Sequence, residues 1–595
     1  MASNAGRLNL VFAAVLAIVV SPGNRFAAAS SEDHRYNVGD PVPLYANRVG
    51  PLHNPSETYE YYDLPFCRPD PLIWKRGSLG EVLNGDRLTN SLYNLKFREV
   101  KDGEILCEKN LTISDVTRLR NAVNEDFYFQ MYYDDLPMWG FLGKVENSSW
   151  SPGENRPRYF LFKHVQFDAF YNGDQIIEIN AFSDPNHVVD ITDDVEVNIK
   201  FTYSAFWNPT SVGFKERMSK YLRASLLPIH RQIHWFSLIN STVILILLLG
   251  LMTLLFMRRL RNDLKQYSAG DDEEENDVAR KYVCGELFRP PSHFPLFCAV
   301  LGSGMQLLTM VCFLSLLAFL GVLYPYSRGS LCTALVLSYI LTSVVGGFTA
   351  TSFQSQFAET GSAWTVPLTG IVYLGPVLVI GFVLNTISIA YGATAALPVG
   401  TIFIITFIFV PITVLLLSLG GVIQRFCRTE VRTPSVMRKS LREIPPLAWY
   451  RNLPCQMILG GLLSFSSVVL ELYELYSTLW GFKISVLPGT LFVTLVILII
   501  VTAVLSVVLT HIQLSSEDHD WWWRCVFRGG SAAILMFAYC VYFYTRSNMS
   551  GFLQLSIFMG YSALMCYAIF LILGTVSFIA SLMFVCRNYE AVKSE

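Results

Sequence analysis

From about residue 235 to the C-terminus the chain is a succession of apolar runs broken by short polar stretches. The runs fall near 235–256, 296–323, 330–352, 365–390, 397–424, 455–479, 488–511, 526–545 and 553–585. Each is long enough to cross roughly 30 Å of hydrocarbon as a helix, which predicts nine transmembrane helices. Several exceed that length and must tilt or project from the bilayer. The links at 324–329, 391–396 and 546–552 are short, so the spans they join are antiparallel neighbours. Gly375-Pro376 and Pro411 interrupt two of the runs.

Ahead of residue 234 the pattern changes. Val195–Tyr203 alternates apolar and polar positions, which predicts a strand with one wet face. Tyr159–Tyr171 and Gln175–Asn180 flank Asn172-Gly173, a hairpin turn signal. Over Ser114–Tyr128, Val116, Leu119 and Val123 share one helical face and Ser114 can cap it. Asp134-Asp135 reads as a turn. Residues 30–233 are therefore expected to form a β-rich, β-sandwich-like domain.

The N-terminus has a targeting pattern. Arg7 precedes the apolar run Leu8–Val20, Pro22-Gly23 breaks it, and Ala27-Ala28-Ala29 offers small residues for cleavage. This predicts a signal peptide over 1–29, an uncleaved anchor being the alternative. Charge then orients the rest. Arg258, Arg259, Arg261 and Lys265 follow the first span, and 425–454 carries Arg425, Arg428, Arg432, Arg438, Lys439, Arg442 and Arg451 against Glu430 and Glu443. The excess of cations places both segments in the cytosol. An odd number of spans makes the N-terminal domain lumenal and the C-terminus cytosolic.

The expected fold class is thus an α-helical polytopic membrane protein with nine transmembrane helices and an N-terminal lumenal β-rich domain. Its parts are a signal peptide (1–29), the lumenal domain (30–233), a first transmembrane helix (234–257), a cytosolic linker with the acidic run Asp271–Glu275 (258–295), an eight-helix bundle (296–586) and a cytosolic tail (587–595).

Composition agrees. Of 595 residues, 52% are hydrophobic and 15% charged, against about a quarter charged in soluble proteins. A net charge of −2 and the lack of a basic stripe give no reason to expect a nucleic-acid partner. Only Cys67 and Cys107 of the 12 cysteines precede the first span. In an oxidising lumen they are a disulfide candidate, with two buried thiols as the alternative. Asn110-Leu111-Thr112 and Asn147-Ser148-Ser149 are glycosylation candidates at Asn110 and Asn147.

Dispersed blocks carry a family likeness. They are Tyr45–Tyr59, Tyr61–Cys67, Ser78–Glu81, Asp134–Gly140, Ile233–Ser237, Arg258–Leu264, and Gly460–Phe465 ahead of Glu471-Leu472-Tyr473. In this order, over nearly all of the mature chain, they resemble the transmembrane-nine superfamily, the nonaspanins. Two positions depart from that pattern. Cys284-Gly285-Glu286 stands where the family has a His-Gly-Asp type sequence, and His519-Asp520 where Tyr-Arg precedes Trp521-Trp522-Trp523.

The resemblance implies a protein of Golgi and endosome membranes that sorts membrane-protein clients with glycine-rich spans. It also implies that the terminal Lys593-Ser594-Glu595 engages the COPI coat through Lys593 and Glu595. A cation, a side-chain carboxylate and the terminal carboxylate within three residues suit receptor reading.

Three further features come from the residues alone. Glu471 and Glu474 lie three apart in the sixth span and share a helix face. Glu471 is nine residues from Trp480, roughly 13 Å along a straight helix, close to the bilayer midplane. A carboxylate there is expected to face the bundle interior, to be protonated or to find a partner. It serves either as packing glue, bonded to residues such as Asn385 or Gln306, or as a recognition or proton-linked site. Small residues recur at Gly302, Gly304, Gly346, Gly347, Gly420, Gly421, Gly460 and Gly461, for internal helix packing or for a groove that takes a client's helix. Trp235, Trp480 and Trp521–Trp523 read as interface anchors. No GxSxG, HExxH, P-loop or zinc spacing occurs, and His53, His234 and His511 have no evident metal partners, so neither enzyme activity nor a cofactor is expected. A secondary transporter or channel using the intramembrane acidic residues is the competing class.

Overall fold

The computed structural model describes residues 34–147, 156–217, 235–267, 288–320, 323, 329–357, 364–427, 452–480, 487–515 and 518–594. The expected signal peptide, the acidic run Asp271–Glu275 and the basic stretch 428–451 lie outside the described residues.

The N-terminal domain is built from three sheets. The first runs β2 (Tyr59–Glu60), β1 (Leu44–Pro51), β5 (Phe127–Tyr133), β6 (Leu136–Phe141), with β3 (Thr89–Asn90) also on β1. The second runs β10 (Gln175–Ser183), β9 (His164–Asn172), β12 (Val197–Pro209), β4 (Lys101–Leu111), and β12 pairs β9 in parallel. The third runs β11 (Val188–Asp190), β8 (Pro157–Phe162), β7 (Gly143–Asn147). Inward residues of the first two sheets, among them Val49, Met131, Phe167, Ile176 and Phe201, share one core with Val116 and Leu119.

Local chemistry explains most boundaries. Asn172-Gly173 makes the β9–β10 hairpin, with Gly173 at φ 63°. Asp134 and Asp135 both take left-handed backbone (φ 48° and 63°) and turn β5 into β6, as a two-residue primed turn requires. Two expectations are corrected. The run Tyr159–Tyr171 is two strands, β8 and β9, which belong to different sheets. A short helix, α1, spans Leu79–Leu83, and the longer α2 spans Ile113–Asn124 rather than Ser114–Tyr128. The cap of α2 is Thr112, whose hydroxyl accepts from the Asp115 backbone while Asp115 answers at the Thr112 N–H. Such a reciprocal box outweighs a lone serine two residues on. Asp126, left-handed at φ 52°, ends the helix and releases Phe127–Tyr133 to the sheet, where all seven residues are buried.

The rest is helical: α3 (Trp235–Tyr267), α4 (Phe294–Phe319), α5 (Ser330–Phe357), α6 (Thr365–Ala390), α7 (Val399–Phe426), α8 (Leu453–Ser466), α9 (Val469–Leu479), α10 (Leu487–Leu514), α11 (Trp522–Arg546) and α12 (Phe552–Ser594). Eight of these are long and apolar enough to cross a membrane, and α8 with α9 forms a ninth span if the bent pair counts as one. Pro376 does not break α6. Near Pro411 the chain keeps a continuous helix by widening to a π turn over Ile405–Phe409. The real break, 73° between α8 and α9, contains no proline. Ser466 Oγ donates to the Leu463 carbonyl (2.8 Å) and Ser467 Oγ to that of Ser464 (2.7 Å). Hydroxyls that take up helix carbonyls in this way favour bending.

The N-terminal domain rests on the three short links. Thr58 and Thr394 join hydroxyl to hydroxyl at 2.6 Å, and the Thr394 N–H donates to the Thr58 carbonyl. Arg87 donates to the Ala396 carbonyl (2.5 Å), and the Ser550 N–H to Asn54 (3.0 Å). The Gly80 and Gly329 backbones touch so closely that no Cβ fits at either. All three links therefore lie on one face of the bundle, as alternating spans demand.

Candidate functional site

Glu471 is the third residue of α9, where the positive end of the helix dipole favours a carboxylate. It is 2% exposed, and Ser241 of α3 donates to its Oε1 at 3.3 Å. That contact matters because α3 is otherwise sparsely held. Ile239, Ile246, Leu247 and Leu254 are all exposed, and its apolar seam is Met252 against Leu505 and Val508. The bend also alters the depth of Glu471. Measured along α8, the nine residues to Trp480 advance only roughly 4 Å instead of 13. Trp480 packs on Phe558 and beside Ala393, Leu553 and Ile557, so Glu471 lies nearer the domain-bearing face than a straight helix would put it. Asn385 and Gln306 are engaged elsewhere: Asn385 accepts from the Leu397 N–H (2.6 Å) and Gln306 donates to the Tyr339 carbonyl (3.1 Å). The side chain of Glu474 lies outside the described residues.

The paired glycines sit at internal contacts. A Cβ on Gly302 would meet the Gly346 carbonyl oxygen at 2.7 Å, and one on Gly347 would strike that of Leu417. Gly420 abuts Val344, Gly304 abuts Thr575 and Leu571, and Gly461 abuts Ser531. Gly460 faces the Arg528 carbonyl at 3.4 Å and Gly421 faces Thr351 at 3.2 Å. By contrast, Gly370 and Gly381 of α6 have open space where a Cβ would stand. The tryptophan expectation needs correcting too. Trp521 and Trp522 are 0% and 3% exposed, packed with Phe297 and Phe578. Only Trp523 reaches a rim, donating to the Ser292 carbonyl at 3.1 Å.

In the N-terminal domain Cys67 and Cys107 are joined as a disulfide, their Cα atoms 6.2 Å apart. Asn110 is exposed on β4, and Asn147 ends β7, its side chain and residues 148–155 lying outside the described set. The α12 helix runs to Ser594. The side chain of Lys593 and the whole of Glu595 are outside the described residues.

Asp134, read from the sequence only as a turn residue, has a second role. Its buried carboxylate binds His34 Nδ1 (2.6 Å) and the Tyr36 hydroxyl (2.7 Å) through Oδ1, and Arg217 (2.8 Å) through Oδ2. Arg217 also covers the Phe214 ring at 4.2 Å. The hydrogen bond to Asp134 raises the His34 pKa above its ordinary value, opposed by burial and by Arg217. One carboxylate thus gathers the entry and exit segments of the domain. Alternation and periodicity carry no signal for such a cluster.

Among the described residues no group of three or more His, Cys, Asp and Glu could hold a metal ion. His53 stands 3.8 Å from Asp126, and His511 packs between Phe256 and Phe584. His234 lies outside the described residues. A cleft lined by Tyr59, Arg118, Glu125 and Tyr391 opens where the domain meets the 391–396 link, and no nucleophile–base pair lines it.

Comparison with known proteins gives full-length likeness. Residues 58–552 match the family model described as Endomembrane protein 70. "Transmembrane 9 superfamily member 5" of Arabidopsis thaliana is 53% identical over 567 residues, covering 95% of this chain and 96% of that one. "Transmembrane 9 superfamily member 3" of the same plant is 48% identical over 595 residues, with 99% and 100% covered. "Transmembrane 9 superfamily member 1" of Bos taurus is 37% identical over 573 residues, 94% of each chain. No solved structure matches.

Proposed function

This chain belongs to the Endomembrane protein 70 family, the transmembrane 9 superfamily, and from that premise we propose that it is a non-enzymatic sorting factor of Golgi and endosome membranes. It holds the helices of membrane-protein clients against its bundle. Its N-terminal domain is lumenal, its C-terminus is cytosolic, and Lys593 and Glu595 present the tail to the COPI coat.

The observation that carries the client reading is the division among the glycines. Those at 302, 304, 346, 347, 420 and 461 are in close contact within the bundle, whereas Gly370 and Gly381 are open. They lie eleven residues apart on α6, and eleven residues are close to three helical turns, so they share a face. Neighbouring Ile371 and Phe382 are 61% and 71% exposed. A client helix with small residues could approach that face closely. In cells depleted of the protein, glycine-rich membrane proteins should be mislocalised, and the wild-type chain should restore them. The Gly370→Leu, Gly381→Leu chain should not restore them despite normal abundance. Full rescue would refute the reading. Separately, Lys593→Ala with Glu595→Ala should move the protein out of the Golgi, and an unchanged distribution would refute coat-based retention.

One observation favours a transporter instead: a broken span with a buried carboxylate at the start of its second half, an arrangement transporters use at their sites. Flux in proteoliposomes that Glu471→Gln abolishes would establish it.

A further inference from the structure

Two histidines face each other where the third sheet of the N-terminal domain joins the second. The third sheet, β11-β8-β7, is tied to its neighbours through Leu142 from β6, Lys163 into β9, 184–187 from β10 and 191–196 into β12. The first three of these links converge. The Phe162 N–H donates to the Leu142 carbonyl (2.9 Å), and the Ser183 hydroxyl to that of Phe141 (2.7 Å). The Lys163 N–H donates to the His187 carbonyl (3.1 Å), and the Asp184 N–H to that of His164 (3.3 Å). His164 opens β9 and His187 directly precedes β11, so each of two crossings between the sheets carries one imidazole. The ring centroids are 5.3 Å apart.

The two rings differ in their surroundings. His164 is 8% exposed, and its Nδ1 lies 2.8 Å from the Thr202 hydroxyl oxygen of β12. Alternation along β9 puts it on the face opposite the core residue Phe167, where the His187 ring packs against it. His187 is exposed, with its Nδ1 2.6 Å from Asp184 Oδ2. The charged groups acting on His164 are His187 and Asp184 of the 184–187 link and Asp102 of β4, whose carboxylate accepts from Ser204 of β12. Burial, then the His187 ring, lower the His164 pKa, and the two carboxylates offset only part of this. The Asn186 N–H and His187 hold the Asp184 pKa below its ordinary value, so that carboxylate stays charged while imidazole titrates. With its folded-state pKa lowered, His164 favours the closed joint fully above about 6.5, the ordinary histidine value. That contribution is lost as pH falls through the lowered value.

We propose that the His164–His187 pair is an acid-operated latch on the N-terminal domain: protonation of His164 lifts the 184–187 link and loosens the third sheet where it joins the second. A buried imidazolium beside a second ring is costly, and lifting the link returns it to water. The link is suited to this motion because it is short, its Pro185, Asn186 and His187 are exposed, and it is held to the second sheet by the backbone bond from Asp184 to His164. Histidines that gain protons at an interface drive pH switches in this way. That the latch meets acid in a lumen rests on the location proposed above. Its action on the isolated chain does not, so the two readings fail separately.

The test is hydrogen exchange on the full chain in detergent at about pH 7.5 and about pH 5, with exchange times scaled for the intrinsic rate at each pH. In the wild type, protection of peptides from 157–163 and 184–191 should fall by roughly threefold or more at the lower pH. His164→Gln keeps a polar partner for Thr202 and has no titratable ring, so the fall should disappear. His187→Gln alters an exposed side chain, so it reports even where His164→Gln fails to fold. It removes one cause of the lowered His164 pKa, and the fall should shrink. Peptides from 127–141 are the internal reference, because His34 acts there with the opposite sign. Protection of 157–163 and 184–191 that is indifferent to pH, or that falls equally in all three chains, would overturn the latch. An equal fall over 127–141 would also overturn it, since the domain would then open as a whole.

Discussion

Replacing Asp134 with asparagine isolates one charge in the N-terminal domain. The position is left-handed (φ 48°), which asparagine tolerates nearly as well as aspartate. Alanine there would add roughly 1–2 kcal/mol of backbone strain and confuse the result. The amide keeps most of the shape but leaves Arg217, whose side chain is 8% exposed, without its counter-charge. Removing one partner of a buried ion pair costs about 3–5 kcal/mol. Because Asp134 joins β5 to β6, the cost should appear as opening of those strands. Hydrogen exchange of peptides from 127–141, measured on the full chain in detergent, should quicken roughly 100-fold or more. Protection unchanged within about threefold, equivalent to ~0.6 kcal/mol, would refute the idea that the cluster holds the domain closed. His34 gives the same site a pH dependence. Its pKa is raised in the folded state, so its contribution is fully present below about 6.5, the ordinary histidine value, and is lost as pH rises through the raised value. The protection difference between wild type and His34→Gln should therefore be larger at acidic than at alkaline pH. A pH-independent difference would show that His34 acts only through its shape.

Other perturbations test other parts of the fold. Gly420→Ala forces a methyl against the Val344 carbonyl, which no rotamer change relieves, so it should lower the unfolding midpoint of the bundle by the equivalent of about 1–3 kcal/mol. The same change at Gly381, where space is open, should be near neutral, and equal effects at both would contradict the packing assignment. Cys67→Ser with Cys107→Ser opens a link across 40 residues and should cost the N-terminal domain about 4 kcal/mol in the loop-entropy account, read as accelerated proteolysis of that domain under native conditions. Ser466→Ala with Ser467→Ala removes the two hydroxyls bonded to α8 carbonyls. A spin-label pair placed across the bend should then report a wider angle, and an unchanged distance would assign the break to tertiary packing alone.

The amino-acid sequence determined the parts of this protein that answer to a solvent. Apolar length alone separates a chain that must sit in hydrocarbon from one that folds in water, so the spans and their short links were legible. Alternation over Val195–Tyr203 and the Asn172-Gly173 turn were legible for the same reason, since each reflects a local preference of a few residues. The capping box at Thr112 and Asp115 is also present in the sequence, and its two reciprocal bonds outweigh the lone hydroxyl of Ser114.

Only the tertiary structure decided which groups meet. Nothing local marks Asp134 as buried or separates the internally packed glycines from Gly370 and Gly381. The break after Ser466 falls inside a run that reads as one span, and it moves Glu471 toward the domain-bearing face to meet Ser241, 230 residues earlier. Hydropathy records each residue's free energy against its medium. Close contacts, ion pairs and bends depend on two or more residues distant in sequence, and that pairwise information is absent from any single window of the chain.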